Sequence, residues 1–294
     1  MVVHITSLEG NRQRLDGGAM FGNAPRPMWE KWLAPDALGR IELACRCLLI
    51  ETDNKKILCE AGIGAFFEPK LAERYGVQTP DEHRLLSSLA AKGIKEEEID
   101  YVILSHLHFD HAGGLLPSYK DKKSGAATQL LFPKAQYIVG EEALNRNLNP
   151  HLRDRASFIP ELYGLLEKSS RLAVIPKGGK NIPALGQLIE FVYTDGHTPG
   201  HMHTLVQGDQ GKAFFCGDLI PGSAWLHIPI TMGYDRFPEK LIDEKTIIYQ
   251  RAIPEKWLLF FTHDHQISAA TCIKDAKDKI TMDKVFNELH RYSL

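Results

Sequence analysis

A short polar run, Ser105–Gly114, contains the residues whose types and spacing best suit metal chemistry. His106 and His108 are two positions apart, so in an extended chain both side chains point the same way and can hold one cation. Asp110 and His111 follow where the chain bends before a Gly-Gly pair, so they can face a second site. Zinc accepts imidazole nitrogen with carboxylate oxygen, and iron or manganese can also use this ligand set. The run therefore predicts a metal site.

The segment before this run explains how these side chains could be held. Residues Ile99–Leu104 are mostly apolar and are typical of a buried strand. Such a strand would deliver the histidines to its end, where a loop can turn them towards a common point. The alternative, a polar loop with exposed histidines, fits poorly with three histidines and one aspartate within six residues.

The pattern His-x-His-x-Asp-His at a strand end, with further His and Asp downstream, resembles the metallo-β-lactamase superfamily. The resemblance implies an α/β fold, an αβ/βα sandwich of two mixed β-sheets flanked by helices, with a dinuclear metal site at one edge. Strands are predicted in both halves of the chain, each set followed by helices, which suits this architecture. No linker divides the sequence, so we expect one domain over residues 1–294.

Three later motifs supply the remaining ligands that the resemblance implies. A turn at 195–201 presents His197, an apolar strand ends at Asp218, and a third strand ends at His263, with His265 as the alternative. A carboxylate can bridge two cations, so Asp218 is expected between the metals. The expected ligands are His106, His108 and His197 for one ion, Asp110, His111 and His263 for the other, and Asp218 for both. Asp195 and His201 are expected to orient these ligands by hydrogen bonding.

A site of this kind carries out hydrolysis with a hydroxide held between the two cations. We expect two divalent metal ions, Zn²⁺ first with iron or manganese as alternatives, and a small lactone or ester as the substrate. Asp110 is the predicted catalytic residue because it can orient the hydroxide or carry a proton to the leaving group. Phosphotriester or thioester hydrolysis is the alternative reaction, and a metal-containing sensor without turnover is the alternative of another class.

Within the superfamily, the motifs most resemble the lactonase and organophosphate-hydrolase branch. Lactonases there often place a tyrosine three residues after the bridging aspartate, but this chain has Pro221 at that position, so Tyr234 or His227 would have to substitute. True β-lactamases lack the aspartate found here at Asp110, which argues against antibiotic hydrolysis. Glu60 stands where the superfamily usually carries an Asp-x-Gly turn, and we expect it to support the site without binding metal.

Two loops are predicted to shape the substrate cleft. Residues 9–36 are rich in Gly, Pro and aromatic side chains and keep no period of 2 or 3.6, so they form an arm that is an apolar wall of the cleft, a homodimer contact or a packed connection. Residues 219–236 directly follow Asp218 and should lie beside the cleft, with packing in the core as the alternative for their large side chains. The candidate substrate contacts from both loops are Met20, Phe21, Trp29, Trp225, His227 and Tyr234.

Composition limits the other function classes. A net charge of −2 gives no basic field for nucleic acid. No apolar stretch approaches the ~18 residues that a membrane span needs, and the start lacks a signal-peptide pattern, so we expect a cytoplasmic protein with a small-molecule substrate. Cys45-Arg46-Cys47 could imitate half a zinc site, but no second thiol pair accompanies it, so we predict buried free thiols in a reducing compartment.

Overall fold

A computed structural model describes residues 2–125 and 129–294. The strands in this part of the chain are β1 His4–Asp16, β2 Arg40–Glu51, β3 Lys56–Cys59, β4 Tyr101–Leu104, β5 Gln136–Gly140, β6 Leu172–Ile175, β7 Ile189–Thr194, β8 His201–Gln207, β9 Lys212–Phe215, β10 Leu258–Phe260, β11 Ala269–Lys274, β12 Ile280–Phe286 and β13 Tyr292–Ser293. The helices are α1 Gly17–Phe21, α2 Arg26–Trp29, α3 Pro69–Arg74, α4 Arg84–Ala90, α5 Phe109–Ala112, α6 Tyr119–Lys123, α7 Glu141–Leu148, α8 Leu162–Lys168 and α9 Pro238–Ala252.

The described strands form two mixed sheets that share an apolar core. The first sheet has the order β13-β1-β2-β3-β4-β5-β6, and the second has the order β12-β11-β10-β9-β8-β7. Strands β3 to β6 pair in parallel, as do β9 and β10, whereas the neighbouring pairs are antiparallel. Ile50 and Ile103 of the first sheet and Phe191 and Phe215 of the second belong to the same buried cluster. The predicted sandwich of two mixed sheets is confirmed.

Strand β4, which leads to the histidine run, is apolar because both of its faces are covered. Ile103 faces the cluster between the sheets, while Val102 and Leu104 face the outer cluster, which also contains residues of α4 and α8. Strands buried on both faces lack the polar alternation of half-exposed strands. On the outside of the second sheet, α9 packs Leu241 and Ile248 into a third cluster. None of the described helices has the length and apolar character needed to cross a bilayer.

The structure corrects the predicted start of the arm at residues 9–36. Strand β1 continues through Glu9 to Asp16, and α1 and α2 follow it. Glu9 pairs with Arg46 and Arg12 with Ala44, so β1 has one extra residue at this point, and Asn11 there has φ of 91°. This bulge interrupts the period of 2 by which a strand is recognised in a sequence.

Strands β8, β11 and β12 were not predicted from the sequence. Strand β8 begins at His201, within the segment interpreted as a turn, and is buried along almost its whole length. Strand β12 has exposed Asp283 and Lys284 at the edge of its sheet, so its composition resembles that of a solvated surface.

Candidate metal centre

Four segments that follow strands bring the predicted ligands together. His106 and His108 follow β4, His197 lies between β7 and β8, Asp218 follows β9, and His263 follows β10. Helix α5 carries Asp110 and His111 on its single turn. The strand ends fix the backbone near the cluster: Met202 N donates to Ser105 O at 2.9 Å across the two sheets, and Ala44 N of β2 donates to His263 O at 3.2 Å.

Three imidazoles form the first group of possible ligands. His106 Nε2 lies 3.0 Å from His108 Nδ1, and His197 Nε2 lies 3.3 Å from the same atom. Burial lowers the pKa of His106 and of His108 well below the ordinary value, and the neighbouring imidazoles lower it further. The rings are therefore neutral, which is the protonation state that binds a metal.

The second group consists of Asp110, His111 and His263. The Nε2 atoms of the two histidines are 3.3 Å apart. Asp110 lies beside both, with Oδ1 3.8 Å from His111 Nε2 and Oδ2 3.6 Å from His263 Nε2. Gln13 Nε2 donates to Asp110 Oδ2 at 2.7 Å and so holds this carboxylate in place.

Asp218 lies between the two groups and presents a different oxygen to each. Its Oδ1 is 3.3 Å from His111 Nε2 and 3.1 Å from His263 Nε2, whereas its Oδ2 is 3.2 Å from His197 Nε2. Burial alone would raise the pKa of Asp218, but the imidazoles of His111, His263 and His197 hold it well below its usual range. The carboxylate is therefore charged, and a charged buried carboxylate requires cationic neighbours.

This arrangement fits divalent cations. Burial would lower the pKa values of His111 and His263, but Asp218 raises both well above the ordinary range, so protons supply the positive charge when no metal is bound. Asp218 Oδ1 is buried and receives no hydrogen bond of good geometry from the described residues. Cations in this position would replace those protons and satisfy the carboxylate, and imidazole with carboxylate is the donor set that zinc prefers.

The two residues expected to orient the ligands are placed differently. His201 Nε2 is 3.2 Å from Ser105 Oγ, which is itself 2.8 Å from His106 Nδ1, so His201 contacts a ligand candidate through one hydroxyl. Asp195 Oδ1 accepts from Gly200 N at 2.9 Å, and its other oxygen pairs with Lys240. Asp195 thus shapes the turn that carries His197 and does not contact the imidazole.

Two carboxylates that the ligand assignment did not include contact the imidazoles directly. Asp235 Oδ1 is 2.9 Å from His197 Nδ1, and its Oδ2 accepts from Met232 N at 2.7 Å. Glu60 Oε2 is 3.0 Å from His111 Nδ1, on the side of the ring away from Asp218, and its Oε1 accepts from Ser105 N at 2.8 Å. Glu60 also lies within ligand distance of His106 and His111, so its expected role of supporting the site without binding metal stays a prediction. Asp235 carried no signal in the sequence, because no motif connects it to His197.

Comparison with known proteins relates the chain to a family. Residues 40–123 match the model of the metallo-β-lactamase superfamily. An N-acyl homoserine lactonase of Bacillus thuringiensis is 24% identical over 251 residues, which are 76% of this chain and 82% of that protein. A probable metal-dependent hydrolase from Staphylococcus aureus, known from its crystal structure, is 26% identical and has a TM-score of 0.84, with 99% of this chain and 98% of that chain covered. By these similarities the chain resembles the metallo-β-lactamase superfamily, whose family model matches residues 40–123.

The similarity to lactonases and to a probable metal-dependent hydrolase confirms the prediction of a metal-dependent hydrolase. A dizinc quorum-quenching lactonase, solved with the product of its reaction, shares the fold with a TM-score of 0.72 at 18% identity, with 97% of this chain and 96% of that chain covered. The cluster around Asp218 is accordingly the candidate divalent-metal site of this chain.

A cleft of about 430 Å³ opens onto this metal site. It is lined by His108, Asp110, His197, Asp218 and His263 from the cluster, by Met20, Tyr75, Met232 and Tyr234, and by the arginines Arg14, Arg40, Arg74, Arg153 and Arg236, among others. Among the predicted substrate contacts, Met20 and Tyr234 therefore line the cleft.

The other predicted contacts lie outside the cleft lining. Phe21 is fully buried, with its ring centroid 4.5 Å from that of Trp225 and 5.7 Å from that of Trp29. These three rings belong to a separate core cluster, which is the packed-connection alternative for the arm. His227 is exposed, and its ring lies 5.8 Å from Trp32.

The structure also places the residues of two alternatives raised by the sequence, the thiols at Cys45–Cys47 and the imidazole of His265. All five cysteines are buried and free, and no group of possible ligands found among the described residues contains a cysteine. His263 contributes to such a group, whereas His265 does not.

Proposed function

We propose that this chain hydrolyses a small lactone or ester at a site with two divalent metal ions, most simply Zn²⁺. The observation that carries the proposal is the position of Asp218, whose two oxygens face two separate groups of ligand candidates. His106, His108 and His197 would hold one ion and Asp110, His111 and His263 the other. The lactonase among the relatives supports a cyclic ester as the substrate.

Two cations held by these residues would lower the pKa of bound water to roughly 7 and would polarise the carbonyl oxygen of the substrate. The protein's own side chains provide the proton transfer. Asp110, fixed by Gln13, accepts the proton that the attacking water loses and returns it to the leaving alkoxide oxygen. A lactone plus water thereby gives a hydroxy acid, without a serine or cysteine nucleophile.

Tyr234 would donate a hydrogen bond to the carbonyl oxygen as negative charge develops on it. Its phenol lines the cleft, and burial raises its pKa, with a further contribution from the carboxylate of Asp110. The hydroxyl therefore keeps its proton at neutral pH. Tyr234 would replace the tyrosine that is absent at Pro221, whereas the exposed His227 lies outside the cleft lining.

The test is metal analysis combined with a hydrolysis screen of the same sample over lactones, esters, thioesters and phosphotriesters. We expect two equivalents of metal per chain and metal-dependent opening of lactones or cleavage of esters. His106→Ala and Asp110→Ala should each lower the rate by at least about a hundredfold, since each removes a ligand or the proton carrier. Full activity of both variants would refute the proposal. Metal binding without turnover on any class would favour a sensor.

A further inference from the structure

The cleft is lined by five arginines and four aspartates, and three of the arginines have no carboxylate within ion-pair distance among the described residues. Arg14 lies 3.6 Å from Glu42, and Arg40 lies 2.8 Å from Asp36. Around Arg74, Arg153 and Arg236, no carboxylate oxygen of the described residues comes within 4.0 Å of a guanidinium nitrogen. The nearby carboxylate of Asp154 is already engaged by Arg146 Nη2 at 2.8 Å. The cleft therefore contains three guanidinium groups without a direct ion-pair partner among the described residues, and Asp154 and Asp235 act on Arg236 only at longer range.

Two of these arginines are held side by side by consecutive carbonyl groups. Arg153 Nη2 donates to Gly233 O at 2.6 Å, and Arg236 Nε donates to Tyr234 O at 3.0 Å. Arg236 Nη1 is buried and has no hydrogen-bond acceptor among the described residues. Burial lowers the pKa of Arg236 and the charge of Arg153 lowers it further, whereas the carboxylates of Asp154 and Asp235 raise it. Holding two like charges together costs free energy that an anion would recover.

The arginine pair is attached to the metal site through the backbone. Arg236 N donates to His197 O at 3.1 Å, and Phe237 N donates to Gly196 O at 2.8 Å. Both arginines line the same cleft as His197 and Asp218. A single ligand in this cleft can therefore contact the guanidinium groups while its carbonyl lies at the metal site.

We propose that the substrate carries an anionic group, a carboxylate or a phosphate monoester, which Arg153 and Arg236 bind while the ester carbonyl lies at the metal site. This inference rests on the proposed hydrolase function and specifies its substrate class. Guanidinium groups present paired donors that match both kinds of oxyanion, and such hydrogen bonds are about twice as strong as those between neutral groups. Neutral lactones would leave the buried Arg236 Nη1 without an acceptor.

The experiment compares three γ-butyrolactones that differ only at the end of one side chain: a carboxamide, a carboxylate and a phosphate monoester. We expect the wild-type kcat/KM to be at least about tenfold higher for one of the anions than for the neutral carboxamide. The anion with the larger ratio of kcat/KM to that of the carboxamide shows whether the anionic group of the substrate is a carboxylate or a phosphate monoester. In Arg153→Gln and in the double variant with Arg236→Gln, this ratio should fall by about tenfold. The ratio is used because any loss shared by all substrates cancels.

Arg155→Gln is the matched control, since Arg155 is exposed on the same segment as Arg153 but does not line the cleft. Its ratio should equal that of the wild type. Equal kcat/KM for the three lactones, or a ratio that survives in Arg153→Gln and in the double variant, would overturn the inference while leaving the hydrolase proposal intact.

A binding measurement separates the two proposals if no lactone is opened. Cyclopentanone analogues with the same three side chains cannot be hydrolysed, and calorimetric titration gives their Kd for the metal-loaded protein. Tighter binding of an anionic analogue, lost in the double variant, would support the arginine site even though the hydrolase proposal had failed. Equal Kd values for the three analogues would refute the arginine site.

Discussion

The contact between Asp235 and His197 leads to a specific prediction about metal affinity. Asp235 Oδ1 and His197 Nδ1 are 2.9 Å apart, and both residues are buried. If His197 binds an ion through Nε2, its Nδ1 carries the proton and donates it to Asp235 Oδ1, which fixes the ring and makes it a better ligand. Partners of this kind are typically worth 10- to 100-fold in metal affinity, or about 1.4–2.7 kcal/mol.

Asp235→Ala should therefore weaken binding of one metal equivalent by about 10- to 100-fold while the other changes less. Asp235→Asn should lie between the wild type and the alanine variant. Its amide oxygen can still accept from His197, but its amide nitrogen would then face Met232 N, which donates to Asp235 Oδ2 at 2.7 Å in the wild type. Two donors facing each other lose a hydrogen bond.

The assay is equilibrium titration of the metal-free variants with Zn²⁺ in competition with a chromophoric chelator, with circular dichroism to check folding. Asp195→Asn is the matched control, because Asp195 is near His197 in the sequence but its carboxylate bonds Gly200 N and Lys240, and an asparagine oxygen can still accept from Gly200 N. Its metal affinity should stay within about threefold of the wild type. An unchanged affinity in Asp235→Ala, or an equal loss in Asp195→Asn, would refute the reasoning.

Three further predictions follow from the structure. Tyr234→Phe should lower kcat on a lactone by about 10- to 100-fold with unchanged metal content, because it removes only a donor to the developing oxyanion; an unchanged kcat would exclude that role. Burial lowers the pKa of Lys245 to about 7. The folded metal-free chain therefore loses this proton at lower pH than the unfolded chain, so its stability relative to Lys245→Met should rise from pH 7 to 9 by up to about 1.4 kcal/mol per unit. Urea unfolding at each pH measures this, and a constant difference would contradict it. In Gly114→Ala the added Cβ would lie 2.0 Å from Ala61 O, so the free energy of unfolding should fall by about 1–3 kcal/mol, whereas Gly211→Ala, whose Cβ meets no atom within 4 Å, should change little.

Several features of the fold could be predicted because their signal is local. The hairpin of β2 and β3 and the apolar strand β4 are visible as short apolar runs bounded by turn residues. Strand β1 beyond Glu9 was not recognised, since the bulge at Asn11 interrupts its alternation. The edge strand β12 was missed because its exposed Asp283 and Lys284 resemble a surface loop.

The position of the aromatic residues could not be predicted from the sequence. Aromatic residues such as Phe21, Trp29 and Trp225 suit a cleft wall as well as a core, so residue type does not distinguish the two. Only the packing of the rings does. That packing depends on contacts between residues far apart in the chain. The indole nitrogen of Trp225, for example, donates to Met20 O at 2.9 Å across 205 positions.

By itself, the sequence determined the identity and order of the candidate ligands, because metal chemistry demands particular residue types and each type follows a recognisable apolar strand. Only the tertiary structure decided which groups support those ligands and what the cleft presents to a substrate. Asp235 reaches His197, and Arg153 reaches the carbonyl of Gly233, next to the Tyr234 carbonyl that holds Arg236, because loops distant in sequence converge at the strand ends. Such contacts depend on where the backbone carries each side chain, and no local pattern of residues encodes them.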